Sequence, residues 1–495
     1  MAKITAVIDI GSNSARMIVC KKSSRYAFSI IYEAKSRVRI SENSYENGGY
    51  LQEVAMQRAL KALLDFKQIA NNLKCRKILC VATSALRDAP NRSYFLKKVK
   101  KEVGIDIKVI DGKKEAYLGG IAALNLLPPL KEAVTIDIGG GSTELALIKE
   151  GHIIDTVSLD IGTIRLKELF YDKKAEYKEV LSFIREKFTK IPHIFKTKNI
   201  IAIGGTARSI SKLLMPKDYP LKTLHAYEYN FEENYDLLKK IASSSILKLK
   251  KYNIKRHRID TFREGVAIFI NILNYLGAEK VITSGVGVRE GLYLKDLLRN
   301  SAYKFPANFN PSLKSLCDRF LINEDYANSV KKDSLRLFDI LKVKHKIDDK
   351  YKNELAISAK LSSIGYSINY YGSHKHSFYL ILNGLNYGYT HLQKLLIAFI
   401  TLYQNKKLPK ETPVKEYIKL LPDMKTLQWL SFILALSKCI HKNLSKGDYE
   451  FDFDKDILTI YSKKEEEFLS YECIKELYKP FPIMIKINTY KTSST

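Results

Sequence analysis

The chain carries one short signature twice. Val7-Ile8-Asp9-Ile10-Gly11-Ser12-Asn13-Ser14 recurs as Thr135-Ile136-Asp137-Ile138-Gly139-Gly140-Gly141-Ser142-Thr143, with the two aspartates 128 residues apart (137 minus 9). Each copy is a β-branched apolar run, an Asp, a turn rich in Gly, Ser and Asn, and a second apolar run that begins at Arg16 or Glu144. That order reads as strand, tight turn, strand. Glycines in the turn reach φ > 0 and place no Cβ between backbone and ligand, so successive N–H groups can converge on a phosphate oxygen. Hydroxyls of Ser12, Ser142 and Thr143 add donors, and an Asp at a strand end can hold Mg²⁺ directly or through water. Two such turns with one layout, a domain apart, predict a duplicated fold gripping phosphate from both sides.

Length and composition bound the rest. A chain of 495 residues predicts about three domains. Apolar residues at 46% and aromatics at 11% predict packed cores. No apolar run approaches the roughly 18 uncharged residues that span a bilayer, so no membrane partner is expected. Met1 to Ile4 run straight into the first strand, and the expectation is a cytoplasmic chain without a signal peptide. Cys20, Cys75, Cys80, Cys317, Cys439 and Cys473 are scattered without metal spacing or a disulfide framework, which predicts reduced core thiols. The net charge of +29 favours capture of polyanions. A Lys- and Asn-rich composition can also follow from genome composition, so the charge permits such partners without choosing one.

The pattern divides the chain at 1–127, 128–305, 306–445 and 446–495. The first segment predicts the hairpin, a helix over 51–73, a strand over 77–82, a helix ending near 103, a strand over 107–110 and a helix over 112–126 with Asp111 as its N-cap. The second restarts at Asp137 and repeats the order, with Gly204-Gly205-Thr206 forming a strand–Gly–helix junction of the phosphate-binding type. Residues 301–311 read as a linker, 312–442 as successive helices and 449–488 as a small sheet.

Two α/β halves with facing Asp-Gly loops resemble the ribonuclease H-like superfamily of sugar kinases, chaperone ATPases and actin. Within it, the segments Ile8–Arg16, Ala82-Thr83-Ser84-Ala85-Leu86-Arg87, Glu115 at the start of its helix, Ile136–Glu144 and Gly287-Val288-Arg289-Glu290-Gly291 narrow the match. Together they resemble the exopolyphosphatase / guanosine pentaphosphate phosphohydrolase family over residues 1 to about 300. The resemblance implies an α/β fold of two duplicated ribonuclease H-like domains facing a phosphate cleft. A helical domain, like a degenerate His-Asp phosphohydrolase domain, and a small extended region would follow.

It also implies removal of a terminal phosphate from pppGpp, giving ppGpp, from inorganic polyphosphate, or from both, with Mg²⁺ and often K⁺. Carried over by position, Glu115 is the base that activates water. Asp137 and Glu144 hold Mg²⁺ or orient that water, and Asp9 faces them as a further metal ligand. Ser12, Asn13, Arg16, Arg87, Gly140, Gly141, Ser142, Thr143, Gly205 and Thr206 fall at phosphate-contacting positions. A homodimer is implied too.

Phosphoryl transfer rests on positioning and charge neutralisation, which suits these residue types. Four carboxylates around one phosphate would repel it, so metal must neutralise some or one must keep a raised pKa. The chain departs from the family in placing Lys114 before Glu115 and Tyr117 after it, and that more positive surround predicts a lowered Glu115 pKa. Leu361–Gly365 stands where a His-Asp pair would lie, and His374 and His376 lack an acidic partner nearby in sequence, so the helical region reads as non-catalytic. Two alternatives stay open: an ATP-dependent small-molecule kinase or ATPase of the same superfamily, and a non-catalytic polyphosphate- or nucleotide-binding regulator. No nucleic-acid module is recognisable, and no nucleic-acid partner is expected.

Overall fold

The computed structural model describes residues 3–489 except 253, 256, 257, 321, 445–448 and 463–466. The chain forms two compact units, Met1–Asn310 and Pro311–Thr495.

The first unit contains the duplication. One sheet is built from β1 (Ile4–Ile10), β2 (Ala15–Lys22), β3 (Phe28–Ser36), β4 (Lys77–Ala82) and β5 (Lys108–Val109), in the order β3-β2-β1-β4-β5. The other is built from β6 (Glu132–Ile138), β7 (Thr143–Lys149), β8 (His152–Leu159), β9 (Asn199–Ile203), β10 (Glu228–Asn230) and β11 (Lys280–Thr283), in the order β10-β11-β9-β6-β7-β8. Each begins as an antiparallel three-strand meander and continues through parallel strands, and the second ends on an antiparallel edge strand, β10. The registers superimpose: Asp9 pairs with Arg16 as Asp137 pairs with Glu144. Even the irregularity in the second ladder recurs 128 residues on, between Val19 and Cys20 and between Leu147 and Ile148.

Sequence patterning explains the hairpins. β1 is buried along most of its length because helices cover both faces, so its residues run apolar without strict alternation. Ala6, Ile8 and Ile10 join a cluster with Leu63 and Phe66 of α1 (Glu53–Asn72) and Phe95 and Val99 of α2 (Arg92–Val103). In the second half Val134, Ile136 and Leu145 pack with Phe269 and Leu273, and truncating a buried Phe such as Phe269 costs about 3–5 kcal/mol. The third strands, β3 and β8, are absent from the sequence reading. β3 is largely solvent-facing along Ile30–Glu33, so it lacks the apolar alternation that marks a half-buried strand.

Two helices knit the halves together. α3 (Gly112–Leu126) follows the first sheet in sequence but lies across β7 and β8 of the second. α4 (Gly204–Leu214) starts directly after β9, and α5 (Ile259–Leu276) leads into β11. α6 (Val288–Leu297) belongs to the second half in sequence, yet packs on β1 and on α3. The α3–α6 approach is so close that a Cβ on Gly291 would collide with the Leu118 carbonyl. Asp111 caps α3 as its position suggested, Oδ1 accepting from the Lys114 amide at 2.7 Å.

The second unit is a helical array whose larger members are α7 (Pro311–Arg319), α8 (Glu324–Ile340), α9 (Lys352–Leu361), α10 (Ser373–Gly384), α11 (His391–Leu402) and α12 (Met424–Ile440). The sheet β12-β13-β14 follows (Tyr449–Asp454, Ile457–Ser462, Met484–Thr489), with α13 (Phe468–Lys475) before its last strand. One expectation fails here. Cys439 and Cys473 form a disulfide, with Cα atoms 5.3 Å apart, whereas Cys20, Cys75, Cys80 and Cys317 are free thiols. Separated by 34 residues, the pair meets only because α13 packs on the end of α12. Among the described residues, no helix is long and apolar enough to cross a membrane.

Candidate functional site

The two hairpin turns face each other across a cleft of about 160 Å³. Their approach is intimate: a Cβ on Gly140 would lie 2.7 Å from Ser12 Cβ. Ser12, Asn13 and Arg16 line one wall, with Asp9 at the end of β1. Asp137, Gly140 and Glu144 line the other, and Gly205 and Thr206 open α4 beside them. Gly204 adopts φ +89°, and the Asp137 carboxylate fills the space a Cβ would take, so only glycine fits that turn. Glu115 enters from the first turn of α3.

Four of the residues carried over by position lie behind this wall. Arg87 donates to Glu115 Oε2 at 3.1 Å, to Ser142 Oγ at 3.2 Å and to the Ile110 carbonyl at 3.4 Å. Arg87 therefore holds the candidate base in place, and the Ser142 hydroxyl accepts from Arg87 while also supporting Glu144. Thr143, fully buried, donates to the Ile161 carbonyl at 2.7 Å. The Gly141 carbonyl accepts from Arg165 Nε at 2.8 Å, while Arg165 reaches across to Asp88 at 2.7 Å and lies over the Tyr45 ring.

The carboxylates share a field that raises their pKa values. Burial is the main cause at Asp9, which is pushed up to about 6 against the opposing pull of Arg289 and Arg16. Asp137 is raised by burial, with Arg208 and Arg16 opposing. Glu115 is raised well above the ordinary range, first by burial and then by Glu144. Glu144 rises for the same first reason, although Ser142 and Ser158 hydroxyls stabilise its charge, Ser158 Oγ donating at 3.0 Å. The expected lowering at Glu115 is thus reversed. Burial is the first reason and the neighbouring Glu144 the second, whereas Lys114 lies in the field of Lys108, Lys295 and Asp111.

Residues missed by the sequence reading supply much of the positive charge. Lys35, Arg37, Arg208, Arg258 and Arg289 also line the cleft. Arg289 binds Glu33 at 2.9 Å and lies 3.8 Å from Glu290, whose Oε2 accepts from the Gly287 amide at 2.8 Å and so caps α6. Arg16, Lys35, Arg208 and Arg258 have no carboxylate partner among the described residues. Burial together with mutual repulsion pushes Arg208 and Arg258 down to about 10 and Lys35 to about 8. Lys35 at the end of β3 and Arg37 just beyond it are close in sequence and were a visible signal of a cationic segment. Arg258 and Arg289 reach the cleft only through folding.

The donor set suits a metal bound jointly with substrate. Asp9 Oδ1 is buried and accepts no hydrogen bond. Among the described residues no group of three or more His, Cys, Asp or Glu is gathered closely enough to hold an ion alone. Mg²⁺ needs only one or two carboxylates when waters and phosphate oxygens complete its shell.

The arrangement has recognised counterparts. The model of the Ppx/GppA phosphatase family matches residues 17–300, and that of domain III of the same phosphatases matches 310–470. A bifunctional 3-dehydroquinate synthase/phosphatase of Fusobacterium nucleatum is 31% identical over 301 residues, covering 57% of this chain and 45% of that protein, so the chain spans under half of that relative. A guanosine-5'-triphosphate,3'-diphosphate pyrophosphatase of Aeromonas hydrophila is 24% identical over 420 residues, 83% of this chain and 82% of that one. The crystal structure of the Aquifex aeolicus member of the Ppx/GppA family aligns with TM-score 0.52 at 25% identity, covering 61% of this chain and 99% of that one. An exopolyphosphatase structure from Cytophaga hutchinsonii shares the fold, with TM-score 0.55 at 22% identity over 60% and 98% of the two chains. Paired hairpin lobes and the helical unit after them thus fall to successive models of one group, and the chain belongs to the Ppx/GppA phosphatase family.

Proposed function

We propose that the chain is a Mg²⁺-assisted phosphohydrolase removing the terminal phosphate from inorganic polyphosphate, from pppGpp, or from both. Family membership and the activity of the Aeromonas relative support the substrate class. The observation that carries the mechanism is Glu115, fixed by Arg87 at 3.1 Å beside two facing loops, with its carboxyl pKa raised by burial and Glu144. A carboxylate so perturbed holds a proton more tightly than an ordinary one, which suits a general base.

Glu115 takes a proton from water while the water oxygen attacks the terminal phosphorus. The bond to the bridging oxygen breaks, releasing orthophosphate and a chain one phosphate shorter. Arg16, the turn amides around Ser12 and Gly140, and the N-terminus of α4 hold the phosphate oxygens. Asp9, with Asp137 and Glu144, would hold Mg²⁺, which supplies neutralising charge to the phosphates when bound. The homodimer and cytoplasmic location belong to the same proposal.

Orthophosphate release with Mg²⁺, measured on long-chain polyphosphate and on pppGpp, tests it. Glu115→Gln is expected to lower kcat by about 10²- to 10⁴-fold on whichever substrate wild type cleaves. A variant as active as wild type, or a wild type that binds both substrates and cleaves neither, would overturn the assignment.

A further inference from the structure

The helical unit presents a surface that the cleft chemistry does not use. Residues 355–410 contain no Asp or Glu, yet hold six lysines, three histidines and seven tyrosines. Three of the tyrosines share one loop: Tyr366, Tyr370 and Tyr371 are 43%, 68% and 82% exposed. The rings of Tyr366 and Tyr370 stack with centroids 5.6 Å apart and planes 17° apart, and Tyr371 meets Tyr370 edge-on at 5.6 Å and 87°. Basic side chains lie beside them. Lys438 Nζ lies 6.0 Å from the Tyr366 ring centroid, and His374 sits in the field of Lys375, Lys438 and His376.

The loop is held in shape before any partner arrives. Ser377, fully buried, accepts from the Gly365 amide at 3.0 Å and donates to the Ser362 carbonyl at 3.1 Å, which fixes the loop's entry against α10. Within the loop, Asn369 Oδ1 accepts from the Tyr371 amide at 2.9 Å. Gly372 turns the chain at φ +71° into α10. Exposed aromatic rings on an ordered loop lose little conformational entropy when a flat ring stacks on them.

We propose that this loop is a stacking platform for single-stranded nucleic acid, bases lying on Tyr370 and Tyr371 while Lys375 and its neighbours neutralise phosphates. Bases stack on tyrosine whatever their identity, and lysines track the backbone. The absence of carboxylates over residues 355–410 removes the usual repulsion of a polyanion. A second copy docked through this same patch would set its lysines against their own counterparts, so the carboxylate-free stretch favours a polyanion. Polyphosphate matches the charge but gains nothing from exposed rings. The sequence alone pointed away from nucleic acid because it contains no known module; the platform exists only once the loop places three tyrosines together.

Fluorescence anisotropy of the full chain with a labelled oligouridylate tests the proposal. Wild type is expected to bind, more weakly at about 200 mM than at about 50 mM salt. The double variant Tyr370→Ala/Tyr371→Ala is expected to lose about tenfold or more in affinity, with phosphate release unchanged. A surface control, Tyr50→Ala in the first unit, should bind as wild type. The proposal is overturned if wild type does not bind, if the double variant binds equally well, or if polyphosphate of equal charge competes as well against wild type as an unlabelled oligouridylate does. It is also overturned if the double variant leaves oligonucleotide binding intact and instead shifts the sedimentation coefficient, which would assign the rings to a contact between copies.

Discussion

The two hairpins of the first unit are the same structure with opposite charge at one position. Asp9 and Asp137 hold equivalent places, and the cross-strand partner of the first is Arg16 whereas that of the second is Glu144. Strand register, turn length and even the later ladder irregularity repeat at an offset of 128 residues. The difference teaches how a duplicated scaffold divides labour. On the first side a cation stands beside the carboxylate, which under the proposed mechanism equips that wall to hold phosphate while Asp9 shares the metal. On the second a carboxylate stands beside a carboxylate, and with Glu115 it makes a cluster with raised pKa values, suited to moving a proton and accepting metal.

Breaking the acidic side should have the largest effect. Glu144→Gln is expected to lower kcat by about 10²-fold or more with KM little changed, because the interaction it removes matters chiefly in the transition state. Steady-state orthophosphate release measures both parameters. Next comes the joint between the halves: Gly291→Ala drives a methyl into the Leu118 carbonyl and should cost about 2–4 kcal/mol in chemical denaturation of the first unit. If stability were unchanged, the α3–α6 contact would not be what aligns the two hairpins.

Arg16→Gln should raise KM about tenfold, with a smaller change in kcat, as loss of a charge-assisted phosphate contact does. The pH dependence sharpens the comparison at smaller scale. Folded-state pKa values above the unfolded ones mean that the native protein binds these protons more tightly. Their stabilising contribution is complete below the ordinary carboxyl range and is lost as pH rises through about 6 for Asp9 and about 7 for Glu264, a buried carboxyl of α5 that pairs with Arg263. The melting temperature of the metal-free protein should therefore fall by a few degrees across that interval, and Mg²⁺ with phosphate should reduce the fall. Activity should run the other way, rising as the Glu115–Glu144 pair ionises. A melting temperature that climbs over the same interval would contradict the assigned shifts.

Much of this was legible in the chain. The repeated Asp-Gly turns and the Asp111 cap are local signals, set by backbone conformation and helix-end chemistry that a few adjacent residues determine, whereas Glu115 stands out only through the family resemblance. The third strands were not, because β3 exposes Ile30–Glu33 and so breaks the alternation that marks a strand. The sequence shows Lys114 beside Glu115 but shows neither the burial of its carboxyl nor the approach of Glu144, and these two set the direction of the shift. Likewise Arg258 and Arg289 look like ordinary helix-end cations until α5 and α6 carry them to the cleft, and Cys439 meets Cys473 only through helix packing.

The most direct test of the division of labour is to measure kcat and KM for Arg16→Gln and Glu144→Gln side by side on the preferred substrate. The predicted result is a split, with KM moved mainly by Arg16 and kcat mainly by Glu144. If both substitutions change the same parameter by the same factor, the two hairpins act as one undivided site and the account fails.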